Sequence, residues 1–547
     1  MCGFCLSVDD GTFDIRRLTD SIKHRGPDST KYYCDARVLC GFNRLSIVDN
    51  DSRSDQPMVD SAERHLLAFN GEIYNHRELR IGLQNKHGLH FNTESDTEVL
   101  LQGLIAEGAD FVAKLDGIYA FAFVDLNSLE VLLARDIFGV KPLYYYLHNG
   151  SLCVSSEIKP LWVHSGNKIH YSNVARYLSY GTVGNGEAIV CGINELEPNT
   201  VKRFSAGKET WSGRVHEFKY DQIDNANLND VSDTLYRTID SQKPTIPYGV
   251  LFSGGLDSTL ILDRLANDNN FHGAYSVDVD HPDMSEKYWQ DYAVQVVGIK
   301  DKHQKVRLQK NDLSVGNLLK IAQELDHPLF HPNFIGSFLL TRRAAEDGLK
   351  VLISGEGADE LFLGYRWFFS DQDTSDFLEY IPLREIHALC GEGSVGPMGM
   401  SGMSVLQIFQ KIYLRRWLAR QDLTGMANSI EVRVPFLGYD LSVLANKLSM
   451  NFKRGAGQSK WIIKKLLSRK FSKEFVQRKK IGFDFPLNDW IGEEHLEFLE
   501  EKGDLFDLSR LKATLKKYQG SYMRNRIVFS LVSFVAWHDS VRSRTAH

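Results

Sequence analysis

Short apolar or alternating runs dominate residues 1–205, at 38–40, 66–69, 119–125, 131–134 and 152–155. Runs of this length with period-two alternation predict strands. Helix-length patterns near residues 14–23 and 96–107 lie between them, with turn-rich pieces at Arg25-Gly26-Pro27-Asp28, Asn70-Gly71 and residues 136–139. The first 205 residues therefore predict an α+β domain, and residues 206–230, polar at 221–230, read as a connector. From 231 to 547 the texture changes. Runs at 248–252, 275–279 and 351–353 are buried-type strands separated by helix-length amphipathic segments, the alternation of a parallel α/β sheet. After residue 405 the pattern is mostly helical, interrupted at 432–437. The greasiest stretch, 527–537, is too short to span a bilayer and predicts a buried helix.

At 547 residues the chain exceeds one hydrophobic core, so two domains are expected. A net charge of −6 argues against an extended phosphodiester ligand and leaves room only for local anion binding. Seven cysteines, odd in number and thinly spread, indicate no disulfide framework. With no basic and apolar leader at the start and no membrane-length run, a cytoplasmic setting is expected. Gly391-x-Gly393-x-x-Gly396 meets a dinucleotide-binding pattern but follows no strand, and reads as a loop.

Cys2 carries chemistry if Met1 is removed: its free α-amino group, with an ordinary pKa of about 7.7 to 8.0, can serve as general base for its own thiol. Cys2-x-x-Cys5 imitates a redox or metal pair, without a second pair to complete it. Around Cys2 stand His24-Arg25-Gly26-Pro27-Asp28, Arg44-Leu45-Ser46-Ile47-Val48-Asp49, Asn70-Gly71-Glu72-Ile73-Tyr74-Asn75, Ser95-Asp96 and Arg135-Asp136-x-x-Gly139-x-Lys141-Pro142-Leu143-Tyr144. In this order they resemble the class II glutamine amidotransferases. The resemblance implies an N-terminal nucleophile fold, an αββα sandwich, with Cys2 as nucleophile. It implies that the Asn70 side chain and Gly71 N–H stabilise the oxyanion. Glutamine would be held by Arg44 at its carboxylate, by Glu72 and Asp96 at its ammonium, and by Leu45, Ile47 and Val48 along the pocket.

Tyr248-Gly249-Val250-Leu251-Phe252 runs into Ser253-Gly254-Gly255-Leu256-Asp257-Ser258 and then a helical pattern. Strand, glycine turn and helix N-terminus converge backbone N–H groups on phosphate oxygens. It is not a Walker A loop. SGGxDS resembles the pyrophosphate loop of the ATP pyrophosphatases. A second cluster, Ser354-Gly355-Glu356-Gly357-Ala358-Asp359-Glu360, resembles the asparagine synthetases. So do Asp422, Glu431-x-Arg433-x-Pro435-Phe436-Leu437 and Arg478-x-Lys480-x-Gly482-Phe483. The resemblance spans nearly the whole chain. It implies ATP contacts from Ser253, Gly254, Gly255, Asp257, Ser258, Leu251, Val277, Ser354, Gly355 and Lys460. It also implies Mg²⁺ on Asp257 and Asp359, hard oxygen ligands suited to that cation, and adenylylation assisted by Glu356.

The expected reaction has three parts: glutamine hydrolysed at Cys2, an acceptor carboxylate activated as an acyl-adenylate, and ammonia passed between the sites. The acceptor is left open between aspartate and another carboxylate, such as a uronate. Aspartate-specific relatives carry a Thr-x-x-Arg-Ala-Ser-like stretch where this chain has Asp326-His327-Pro328-Leu329-Phe330-His331-Pro332-Asn333-Phe334-Ile335-Gly336-Ser337, without the arginine. Asp278 and Gly438 are further departures. An amidotransferase acting on a sugar phosphate would lack residues 253–258, and a non-catalytic relative would have lost Cys2, Asp257, Glu356 or Asp359. A homodimer is an expectation from the family alone.

Overall fold

The computed structural model describes all residues except 1, 10, 12, 50, 163–164, 167, 370–377, 391–399, 401, 456, 480–484, 503–504 and 546–547, with side chains up to 542 save that of Cys390. Met1, the glycine pattern at 391–396 and Lys480, Gly482 and Phe483 thus lie outside the described residues.

The first half contains β1 (Cys2–Val8), β2 (Ser29–Cys34), β3 (Val38–Arg44), β4 (Met58–Val59), β5 (His65–Ile73), β6 (Gly117–Asp125), β7 (Val131–Arg135), β8 (Tyr144–His148), β9 (Ser151–Ser155), β10 (Ile193–Glu195), β11 (Thr200–Ser205) and β12 (Lys208–Arg214). They form two six-stranded sheets, ordered β10-β8-β9-β1-β3-β2 and β12-β11-β7-β6-β5-β4. Alternation along the strands sorts the side chains. Phe4, Leu6 and Val8 point between the sheets to meet Ala68, Ala120 and Ala122, while Cys5 faces the helix Ile15–Ser21 outside. On the far side Phe69 and Phe121 pack under the helix Asp96–Glu107. The layers are thus helix, sheet, sheet, helix. β12, the second strand of the β11–β12 hairpin, lies within the 206–230 stretch read from sequence as connector, so the second sheet continues past residue 205.

β13 (Tyr248–Leu251), β14 (Phe271–Val279), β15 (His303–Leu308), β16 (Val351–Ile353) and β17 (Glu431–Arg433) form the second half's sheet. Its order is β15-β14-β13-β16-β17, and every pairing is parallel. Both faces are covered: Val250, Val351 and Ile353 pack in one core with Leu262 and Ile463, and Tyr275, Val277 and Leu352 in another with Phe334 and Phe338. The chain leaves β13 toward β14 on one side and returns to β16 on the other. The carboxyl ends of β13 and β16 therefore flank the crevice where ligands bind in open parallel sheets.

The helix Tyr522–Thr545 buries residues 527–537. Trp537 packs edge-on against Trp162 of the first half at 5.6 Å, and its Nε1 donates to the Asp326 carbonyl at 3.0 Å. The Asp326 carboxylate in turn accepts from the N–H groups of Ile158 (2.6 Å) and Lys159 (3.0 Å). Trp537→Ala empties this junction. The expected loss is about 3–5 kcal/mol of stability, read as a lower guanidinium midpoint.

Candidate active sites

Cys2 pairs with Arg44 across β1 and β3, and its N–H donates to Asn70 Oδ1 at 3.1 Å. Next to it lies a cavity of about 380 Å³. Cys2, Arg44, Leu45, Ile47, Val48, Gly71, Glu72 and Asp96, all expected from sequence, line it together with Gln56, Ser95 and Glu431. Asn70 Nδ2 is buried and, among the described residues, nothing accepts its hydrogens. A buried amide donor left unpaired is costly, so it suits an oxygen that arrives with a substrate. Gly71 is required by packing: its φ is +152°, and a Cβ there would stand 2.0 Å from the Ile118 carbonyl oxygen.

Burial pushes the Cys2 thiol above its ordinary pKa. The chain's amino terminus, the Leu45 N–H and Arg44 pull it down, and Glu431 pushes it up. The thiol needs a base, and the positive groups around it favour the thiolate once formed. Cys5 is different. Residues three apart on a strand face opposite ways, so Cys5 points into the outer core while Cys2 faces the inner one. Burial raises the Cys5 thiol to about 12. A redox or metal pair is thereby excluded by geometry.

The acidic wall is engaged from across the interface. Glu72 accepts a hydrogen bond from the Arg433 guanidinium, which also bonds Glu431 at 2.6 Å. Burial raises the Glu72 carboxyl to about 8; Arg433 opposes the rise, while Glu431 and Asp96 add to it. Asp96 is fixed by the Ile73 N–H at 3.0 Å. Arg44 is held by Asp55 and by main-chain carbonyls, including that of Asp51 at 3.1 Å.

In the second half Ser253, Gly254 and Gly255 form the turn between β13 and the helix Leu256–Leu265. Gly254 has a φ of +77°. Gly255 N–H donates to Ser253 Oγ at 3.3 Å, and Ser258 Oγ donates to the Gly255 carbonyl at 3.2 Å. Arg478 reaches this turn, donating to the Gly254 carbonyl at 2.8 Å and pairing with Glu286 at 2.7 Å. Ser354 and Gly355 follow β16 and meet the same turn: a Cβ on Gly355 would lie 3.1 Å from Asp257 Cβ. Leu251 ends β13, and Val277 on β14 uses its carbonyl to accept from Gln290 at 2.9 Å.

Asp257 and Asp359 converge on one point. Lys460 Nζ bonds Asp257 and lies 2.7 Å from Asp359. Burial works against this ammonium, but the two carboxylates outweigh it and hold the lysine's pKa above its ordinary value. A cation already sits within reach of both acids, and two hard oxygen donors beside a phosphate-binding turn fit Mg²⁺, which takes its remaining ligands from phosphate and water. Among the described residues no cluster of three or more metal-ligating side chains exists.

Glu356 is held by the helix Leu414–Met426: Arg420 bonds its carboxylate and Gln421 donates to it at 3.2 Å. Gln421 also donates to Ser354 Oγ at 3.3 Å. Arg420 and Gln421 were not legible from sequence, where only Asp422 stood out. The 326–337 stretch divides: Asp326 serves the interface, and His331 is half-buried in an aromatic cluster, 4.7 Å from Tyr380 and 5.6 Å from Trp417.

The two sites face one interface. Arg25 is fully buried; it donates from Nε to the Cys2 carbonyl at 3.2 Å and bonds Asp422 twice, at 3.0 and 3.2 Å, and Glu157 at 3.2 Å. Burial disfavours its charge, and Asp422 and Glu157 more than restore it. A cleft of about 680 Å³ is walled by Arg25, Arg135 and Glu157 from one half and Arg415, Ala419 and Asp422 from the other.

A family model described as asparagine synthase matches residues 230–539, and one described as a glutamine amidotransferase domain matches residues 1–218. The chain belongs to the asparagine synthase family. The family member from Bacillus subtilis strain 168 named asparagine synthetase [glutamine-hydrolyzing] 1 is 28% identical, over 96% of this chain and 93% of that protein. Escherichia coli K12 asparagine synthetase B [glutamine-hydrolyzing] is 27% identical over 91% of each. As a member of this family, the chain is a glutamine-dependent, ATP-using amidating enzyme, an N-terminal nucleophile domain followed by a parallel-sheet synthetase domain. No described helix is long and apolar enough to cross a membrane.

Proposed function

We propose that this asparagine synthase amidates aspartate, or a small carboxylate in its place, through an acyl-adenylate formed with Mg²⁺ and ATP. The observation that carries this reading is the cavity at Cys2, whose wall is completed by Glu431 of the synthetase sheet. One reaction shared by both halves gives that contact a purpose.

The Cys2 thiol, deprotonated by its own α-amino group once Met1 is removed, attacks the glutamine side-chain amide, and Asn70 Nδ2 with the Gly71 N–H receives the negative oxygen. As the C–N bond breaks, the α-ammonium returns the proton to the departing ammonia, leaving a thioester that water hydrolyses to glutamate. Glu72 and Asp96 take the ammonium and Arg44 the carboxylate. Ammonia leaves through the charged cleft between Arg25 and the helix that carries Arg420 and Gln421. Enclosure matters, since in neutral water ammonia takes up a proton and loses its nucleophilic lone pair. In the second half, backbone N–H groups at Gly254 and Gly255 hold phosphate, and Ser253, Ser258, Ser354 and Gly355 shape the nucleotide site. Leu251 and Val277 provide adenosine contacts at the strand ends. Asp257 and Asp359 would hold Mg²⁺, which supplies charge neutralisation on the departing pyrophosphate. Lys460 then moves from the acids to the phosphates. Glu356, held by Arg420 and Gln421, takes the proton that ammonia gives up on attacking the acyl carbon as AMP departs.

The missing arginine in the 326–337 stretch is the reason for testing acids other than aspartate. Pyrophosphate release with ATP, Mg²⁺ and ammonium chloride, screened over aspartate, uronates and other small acids, identifies the acceptor. Release with aspartate and formation of asparagine are expected; background rates with every acid would sink the synthetase reading. A second measurement isolates the oxyanion donor. Asn70→Ala is expected to lower kcat for glutamate release about 10²–10³-fold with a much smaller change in KM.

A further inference from the structure

Arg433 ends β17 and faces both sites. Its side chain is fully buried; the guanidinium grips Glu72 and Glu431, which line the cavity at Cys2, and donates to the Gln242 carbonyl at 2.8 Å. Its main chain points elsewhere. The Arg433 carbonyl accepts from the Ser354 N–H at 2.8 Å, at the start of the turn that presents Gly355 and Glu356. Ser354 Oγ is tied through Gln421 to Glu356. β16 and β17 pair over only three positions, so a shift of Arg433 has no long ladder in which to dissipate before it reaches Ser354.

The charge balance shows what would shift it. Glu72, Asp96 and Glu431 share the cavity wall, and Arg433 is the guanidinium bonded to two of them. Glutamine's α-ammonium brings a second cation to Glu72. Both cations cannot keep the same close geometry on one buried carboxylate without repelling each other, and Arg433 has Glu431 to fall back upon. We propose that Arg433 couples glutamine occupancy to nucleotide affinity: the incoming ammonium competes with its guanidinium for Glu72, and the displacement passes through its carbonyl to Ser354. Arg433 touches neither substrate, so it is a positioning residue. The inference rests on the glutamine and ATP sites proposed above.

Such coupling is reciprocal: glutamine must change the affinity for ATP by the factor by which ATP changes the affinity for glutamine. The full-length Cys2→Ala protein binds glutamine without consuming it, which makes the equilibrium measurable. Calorimetric titration of MgATP into this protein, with and without saturating glutamine, is expected to give dissociation constants differing by about fivefold or more, the lower end of measured couplings. The reverse titration should give the same factor. In Cys2→Ala/Arg433→Gln the factor falls below about twofold while both ligands still bind. Arg433→Lys keeps a cation for Glu72 but loses the second arm to Glu431, and gives an intermediate factor even if the glutamine variant does not fold. A factor of one with Arg433 intact overturns the proposal, as does a full factor in either Arg433 variant. Failure of glutamine to bind at all would instead remove the pocket assignment, and the coupling with it.

Discussion

Replacing Cys2 by alanine is expected to lower glutamate release from glutamine by at least about 10³-fold, the scale on which loss of a covalent nucleophile is felt. Pyrophosphate release driven by ammonium chloride should stay within about twofold of the unaltered protein, with whichever acceptor the screen identifies. The separation follows from geometry. Cys2 lines the first cavity and its N–H bonds Asn70, whose buried Nδ2 has no acceptor among the described residues, and among those residues Cys2 has no bond to the turns that carry Asp257 or Glu356. No neighbouring thiol can substitute, since Cys5 lies on the opposite face of β1 with its proton held to about 12. Glutamate release at an undiminished rate would place the hydrolytic site elsewhere.

Asp257→Asn is expected to do the reverse. One carboxylate of the convergent pair becomes neutral, which would leave Asp359 alone of the two to hold the proposed divalent cation, and pyrophosphate release should fall about 10²–10³-fold, the usual effect of removing one preorganised charge from a reacting centre. Glutamate release should be unaffected within about twofold. Raising Mg²⁺ should recover part of the loss. Full activity at low Mg²⁺ would show that Asp257 is not a ligand. The variant also leaves Lys460 with one acid instead of two, so a modest drop in stability is expected alongside.

Legibility in the sequence followed chain separation. The run at 66–69 announced β5, but Asn70-Gly71, read as a turn, lies inside that strand, which continues to Ile73 in register with β6; the turn after β13 was readable because its chemistry is written in consecutive residues. The parallel sheet followed from runs of apolar residues of the right length, whereas those in the first half gave an α+β domain and its αββα layering was implied only by the family resemblance. β15 was missed: His303-Gln304-Lys305-Val306-Arg307-Leu308 is a polar edge strand with few apolar positions. β17 was missed for a different reason. Two of its three residues, Glu431 and Arg433, are charged, and they are buried because they pair with each other and Arg433 also reaches Glu72 far along the chain. No local pattern announces such a strand. Arg420 and Gln421 were hidden likewise, their role being fixed by how the helix Leu414–Met426 turns toward Glu356.

The buried guanidinium of Arg25 has a consequence for the molecule as a whole. Its carboxylate partners come from both sides, Glu157 from the amino-terminal layer and Asp422 from beyond residue 400, and cutting one such partner away typically costs about 3–5 kcal/mol. Severed between its lobes, the chain would leave that debt in one fragment and a stranded acid in the other. Denaturant should therefore melt the intact protein in a single step, and either fragment expressed by itself should be prone to aggregate.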